Sequence, residues 1–318
     1  MVKLTYTSIF RQCINDVLLQ AMYGMGMCMD RDAFSKIFGN KFNYYVTYSE
    51  KLVSEINSKE QTFGYLSNEV FHEILHSKKF SDANEILCRE TLQRLYIACI
   101  TAHFRQHSWV CGIVDSYKSQ NYILLASAIR GFLESSCDFY YSLCPLPLTI
   151  AENYMEIDIA VKGKMHNSLI GLEQLEKPLL HFQEAQRQGV HNSVEPYLKA
   201  ETAKKYMEHE HFNELNLYKM YGDLCQITHP AKQSLSVYLQ EHEYLLKFRI
   251  HLENEINALV EKCFPNMERL LEITSNLIIV SLKTLNLFSD NHGLFTKTVE
   301  EYNMNDIPLW KKIIKNVK

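Results

Sequence analysis

Apolar residues recur along most of the chain at spacings of three and four, the signature of helices that each bury one face. The densest example is Tyr122 to Leu143, Tyr-Ile-Leu-Leu-Ala-Ser-Ala-Ile-Arg-Gly-Phe-Leu-Glu-Ser-Ser-Cys-Asp-Phe-Tyr-Tyr-Ser-Leu. A helix that is apolar on nearly every side belongs in a core. Its polar positions Ser127, Arg130, Glu134 and Asp138 fall at i, i+3, i+7 and i+11, along one stripe. The pattern thus predicts a polar seam inside the core, with Arg130 and Glu134 as a buried ion pair. On a solvated face such a pair is worth about 0.3–0.5 kcal/mol, whereas removing one partner of a buried pair costs roughly 3–5 kcal/mol.

In chain order, Ile9, Cys13, Val17, Leu18 and Met22 predict a helix over residues 5–30. Asp30 with Asp32 then looks like the cap of a short helix carrying Phe34, Ile37 and Phe38. Phe42 to Tyr48 is the one strand-like run, but it has no partner nearby and reads as loop or helix. Residues 49–61 read as a solvated helical face, and Phe63 to His76 as another short helix. Ser81 or Asp82 is expected to cap a long helix through Leu87, Leu92, Leu95, Ile97, Ile100 and Trp109 to about Tyr117. After a turn at 118–121 comes the Tyr122–Leu143 helix, ended by Cys144-Pro-Leu-Pro147. Residues 150–188 predict one or two helices, 191–196 a break, 197–228 a helix, and 234–264 and 266–287 two long helices separated by Pro265. The tail from Ser289 ends in an amphipathic turn or short helix around Trp310. The expected fold class is therefore all-α, a multi-helix bundle built around a long antiparallel helical hairpin of about 82–117 and 121–143. Within one compact unit the expected parts are an N-terminal helical subregion, 1–80, a core, 81–288, and a C-terminal extension, 289–318.

Composition sharpens this picture. Among 318 residues there are only 11 Gly and 7 Pro and no Gly/Ser-rich or Pro-rich linker, which argues against sandwiches, barrels and tethered domains. A formal charge of −4 gives no global basic field, so nucleic acid would have to be bound by a local patch. Nine cysteines without a Cys-x-x-Cys pair suit a reducing, cytoplasmic setting. The first residues lack the apolar run and cleavage site of a signal peptide. Leu270 to Phe288, the most membrane-like run, contains Glu272, Asn276, Lys283 and Asn286 and reads as a core or interface helix, so no membrane partner is expected.

Three motifs carry chemistry. In Tyr218-Lys-Met-Tyr-Gly-Asp-Leu-Cys-Gln-Ile-Thr-His-Pro230, the residues Tyr218, Tyr221, Cys225 and either Thr228 or His229 share a stripe. His229 falls at a helix C-terminus held by Pro230; two packed tyrosines and a capping histidine would give the same pattern. His72-Glu73-Ile-Leu-His76 matches the zinc-hydrolase spacing of two His at i and i+4 with a Glu general base, and Asp82 stands where a third ligand could fall. Lys79 occupies the position where the longer form of that motif wants Gly, which leaves the zinc site as a third-ranked alternative. His103 and His107 are also i, i+4, but in an apolar helix they read as packing residues. His209 and His211, two apart, would not share a helical face. Gly24 and Gly26 lack the Lys-Ser/Thr of a phosphate loop, and the methionines around them suggest adaptable packing.

A long helix, a short polar turn, an apolar helix with Arg130 and Glu134, and later Tyr221 with His229-Pro230 together resemble an uncharacterised bacterial all-α family. That family is loosely grouped with the HEPN-like superfamily of toxin–antitoxin and antiviral defence systems, and the resemblance covers roughly residues 82–245. It implies an RNA-binding protein or metal-independent ribonuclease with no cofactor. Its implied partners are RNA, a protein encoded with it, and a second copy of the chain as homodimer. The catalytic residues it implies are Arg130, Glu134, His229 and Tyr221: His229 moving the proton of a 2′-hydroxyl, Arg130 neutralising the phosphorane-like transition state, and Glu134 orienting the Arg. The chain departs from the superfamily's Arg-x(4–6)-His motif, since Arg94 lies nine residues before His103 and Arg187 four before His191. A catalytically silent helical interaction subunit is the alternative this departure favours.

Overall fold

The core stretch of the sequence pattern, Tyr122–Leu143, is one helix in the computed structural model, which describes residues 29–57, 62–64, 66–186, 195–242, 245–289 and 294–317. The expected helix at 5–30, except Met29 and Asp30, lies outside these residues, as do Arg187 and His191. The described residues form 13 α-helices and one two-stranded sheet, an all-α protein.

Asp30 caps α1 (Arg31–Phe38), its carboxylate oxygen 3.0 Å from the Ala33 N–H, and Phe34, Ile37 and Phe38 face the core. The aromatic run that follows is helical, in α2 (Asn43–Asn57). Tyr45, Tyr48, Ser49 and Leu52 are buried at helical spacing, while Glu50, Lys51 and Ser54 on the other side of the helix are exposed, the solvated face its charges suggest; residues 58–61 of that face lie outside the described residues. α3 (Asn68–His76) is shorter than expected and begins at the Ser67 cap, whose hydroxyl accepts from the Val70 N–H.

α4 (Phe80–Lys118) already includes Ser81 and Asp82 in its first turn, so neither caps it. Ser81 instead donates its hydroxyl proton to the Gly163 carbonyl at 2.6 Å. Asn121 caps α5 (Tyr122–Leu143), accepting from the Leu124 N–H at 3.1 Å. Arg105 of α4 reaches the Ser135 carbonyl of α5, while Gly112 faces Ala128. Trp109 lies over Gly131, where a Cβ would be 2.5 Å from the indole. Positions rise along one helix as they fall along the other, so α4 and α5 lie antiparallel, and this close approach needs a glycine at 131.

After Pro145 the chain restarts as α6 (Leu146–Glu152), α7 (Tyr154–Val161) and α8 (Glu173–Glu184). The expected helix over 197–228 is broken into α9 (Ala203–Met207) and α10 (Leu217–Thr228), joined through Asn216 at φ +47°. The left-handed region that Asn tolerates supplies this break. α11 (Lys232–Ser236) leads into β1 (Leu239–His242) and β2 (Leu245–Phe248), where a helix was expected. α12 (Glu253–Ser289) then runs unbroken through Pro265, the second departure from expectation. Pro265 and Glu261, whose carbonyl loses its amide partner, are both exposed, so water can satisfy that carbonyl.

Among the described residues α12 is the one helix long and apolar enough to cross a membrane, and most of its apolar stretch is buried inside the fold. Lys283, in its C-terminal half, donates to the Glu300 and Tyr302 carbonyls at 3.0 and 2.6 Å. α13 (Pro308–Val317) closes the chain with Trp310 and Ile313 buried. One contiguous set of buried side chains extends from Met29 to Ile313.

Candidate functional site

α10 packs its stripe Leu217, Met220, Leu224 and Ile227 inward, which turns Tyr218, Tyr221, Cys225 and Thr228 outward along α5. Pro230 holds His229 in extended backbone, φ −94° and ψ 161°, and the His229 N–H still closes the helix on the Cys225 carbonyl at 2.9 Å. His229 and Thr228 therefore stand at the end of α10, beside the face of α5 that carries Arg130.

Arg130 Nη1 donates to Thr228 Oγ1 at 3.0 Å and lies 3.3 Å from His229 Nε2. Guanidinium is a donor only, so this contact uses the Nε2 lone pair and places the ring proton on Nδ1. Arg130 Nη2 has no hydrogen-bond partner among the described residues. The cation also sits where the α10 macrodipole is negative.

Glu134 Oε1 is 3.6 Å from Arg130 Nε, an ion-pair contact too long for a hydrogen bond. Its carboxylate also meets the Tyr221 phenol, and burial together with the contacts to Glu134 and Cys225 pushes that phenol well above its usual range. The Tyr221 ring stacks on Tyr218, centroids 6.2 Å apart and planes 18° apart, and Lys204 Nζ lies 5.7 Å from the Tyr218 centroid.

The seam is not buried as the sequence pattern suggests. The side chains of Arg130 and Glu134 keep 28% and 29% of their surface in solvent, and His229 is exposed. α10 covers only one side of the stripe, so both charges keep part of their hydration. Nor is the seam continuous. Ser127 turns back to the Ile123 carbonyl, and Asp138 pairs with Arg105 at 2.7 Å. What is brought together is Arg130, Glu134, Tyr221, Thr228 and His229. A neutral imidazole and a guanidinium in contact, with a free terminal nitrogen and solvent access, can receive an oxyanion and move one proton.

His72, Glu73 and His76 are all exposed on α3. Among the described residues no three His, Cys, Asp or Glu side chains are arranged to hold a metal ion, so none of these residues supplies the third protein ligand of a catalytic zinc beside His72 and His76.

Other histidines pack elsewhere in the fold, and among them His181 carries no sequence signal of its own. His181, buried on α8, donates from Nδ1 to the Tyr197 carbonyl at 2.8 Å and accepts at Nε2 from the Tyr206 hydroxyl at 3.0 Å, a fully paired structural contact. His103 and His107 stack 6.0 Å apart in the core against Tyr45 and Tyr48. Both His103 nitrogens, His107 Nδ1 and the Tyr48 hydroxyl have no hydrogen-bond partner among the described residues. Burial, with the neighbouring imidazole, lowers His103 to about 3, and burial lowers His107 to about 4. His209 and His211 meet at 5.3 Å against Tyr140: His209 is the extended residue that caps the 3-10 turn Glu210–Leu215, not a position within the α-helix expected there.

Comparison with protein-family models, with curated proteins and with solved structures finds no match to this chain.

Proposed function

We propose that this chain is a HEPN-like helical protein of a bacterial defence or toxin–antitoxin type module, working in the cytoplasm and acting on RNA at the Arg130–His229 surface. The observation that carries the reading is the 3.3 Å contact between Arg130 and His229, residues 99 apart in sequence, on a partly exposed surface. In the reaction, Arg130 Nη2 binds a phosphate oxygen. His229, its Nε2 released from Arg130, takes the proton of the 2′-hydroxyl as that oxygen attacks phosphorus. The bond from phosphorus to the 5′-oxygen breaks to leave a 2′,3′-cyclic phosphate, and the imidazolium gives its proton to the departing 5′-oxygen. Glu134 and Thr228 hold the guanidinium, and Tyr218 and Tyr221 offer aromatic surface to unpaired bases. No metal is required, so incubation of a tRNA pool in excess EDTA is the test. Wild-type protein should cleave and His229→Ala should not; equal loss or equal survival of the pool sinks the nuclease reading.

A second reading rests on the same contact. His229 Nε2 is already occupied by Arg130, so an imidazole unable to release that bond would leave a silent RNA-binding or protein-binding subunit. RNA binding by wild-type protein without cleavage would favour it.

A further inference from the structure

β1 and β2 pair antiparallel, with Leu239 opposite Phe248 and Glu241 opposite Leu246. Arg249 donates its N–H to the Tyr238 carbonyl at 2.7 Å, which makes Tyr238 and Arg249 a hydrogen-bonded pair. Along an antiparallel ladder such pairs alternate with pairs whose N–H and C=O groups point away from the neighbouring strand. Counting inward, Leu239/Phe248 and Glu241/Leu246 are the outward-pointing pairs. The backbone groups of Leu246 and Phe248 thus face the open side of β2, where no described strand meets them.

The same residues carry apolar side chains left in water. Leu246 is 61% and Phe248 85% exposed, and Ile250, next on that face, is 84% exposed. A bare apolar edge is what folded sheets normally avoid, and a two-stranded hairpin is marginal without something packed on it. On the opposite face Arg249 is committed to Glu255 at 2.6 Å, whereas Lys247 is exposed with no carboxylate partner among the described residues.

The geometry points to β2 as a docking edge that takes an extended segment of a protein partner as a third strand, apolar beside Leu246 and Phe248 and acidic beside Lys247. Main-chain bonds to Leu246 and Phe248 supply affinity, and alternate side chains supply specificity. Charge disfavours a second copy as the occupant. A two-fold pairing that uses both outward residues sets Leu246 opposite Phe248 of the copy, and that register puts Lys247 directly against its own counterpart. A carboxylate there turns the same position attractive.

The test uses the full chain, 15N-labelled, with a synthetic heptapeptide of valines at alternate positions, a central glutamate and threonines elsewhere. A second peptide is N-methylated at the two valines flanking the glutamate. The unmethylated peptide should slow hydrogen exchange at the Leu246 and Phe248 amides at least tenfold. The methylated peptide should not, and Lys247→Glu should weaken binding about tenfold. No slowing, or equal slowing by both peptides, overturns the proposal. So does protection without peptide. If that protection is independent of concentration, another part of this chain, residues 1–28 included, covers the edge; if it rises with concentration, a second copy does.

Discussion

Arg130 is held from two sides, by Thr228 and His229 through Nη1 and by Glu134 across Nε, and these contacts have different weights. The Glu134 contact is long and partly hydrated, so Glu134→Gln should change unfolding free energy by less than about 0.5 kcal/mol in denaturant titrations. A loss of roughly 3 kcal/mol would mean that the pair is sealed after all. Arg130→Lys should be far more damaging to RNA binding than to stability, because an ammonium cannot hold Thr228, His229 and a phosphate in one plane. Helical spacing makes two stripes legible in the sequence, one with Arg130 and Glu134 and one with Tyr221 and the His229-Pro230 step, while the meeting of the two stripes is implied only by the family resemblance. Their exposure is not legible. The apolar neighbours of Arg130 say that α5 is covered, but not that α10 covers only one side of the stripe.

Among the elements, α4 and α5 depend on Gly131 giving room to the Trp109 indole. Gly131→Ala should therefore cost about 1–3 kcal/mol by overpacking, read as a lowered denaturant midpoint. α12 makes the opposite case. Its Pro265 contributes no amide bond and sits on the exposed side, so Pro265→Ala should stabilise the protein by about 1 kcal/mol; a destabilised variant would show that the proline shapes the helix. These helices also show where sequence reading succeeds and where it stops. The 3.6-residue period gives the helices and the all-α class. A proline whose i−4 carbonyl can reach water does not end a helix, and period alone cannot reveal that solvation. The β1–β2 hairpin is hidden for another reason. Its connecting residues Glu243 and Tyr244 are not turn formers, and Leu239 to Phe248 mixes helix formers with no strict alternation. The break at Asn216 is likewise a choice of backbone region that many residues could decline.

Over the whole molecule, the buried pair His103 and His107 ties stability to pH. Both remain neutral in the folded state down to about pH 3 and about pH 4, whereas the unfolded chain takes up protons near pH 6.5. Folding stability should therefore be full above pH 6.5 and fall as pH drops toward about 4, by at most about 1.4 kcal/mol per pH unit for each histidine. His103→Leu removes two unpartnered nitrogens and should flatten that slope when denaturant midpoints at pH 7 and pH 5 are compared. An unchanged slope would place the acid sensitivity elsewhere. The i, i+4 spacing of these histidines is plain in the sequence. That α2 seals them beneath Tyr45 and Tyr48 depends on contacts no local pattern encodes. The proposed function, by contrast, rests on the open cluster at the end of α10, and its most direct test is binding. A fluorescently labelled single-stranded RNA titrated at fixed salt should bind wild-type protein and bind Arg130→Ala at least tenfold more weakly, about 1.4 kcal/mol. Equal affinity of the two proteins, or no binding by the wild type, would contradict RNA recognition at Arg130 and His229.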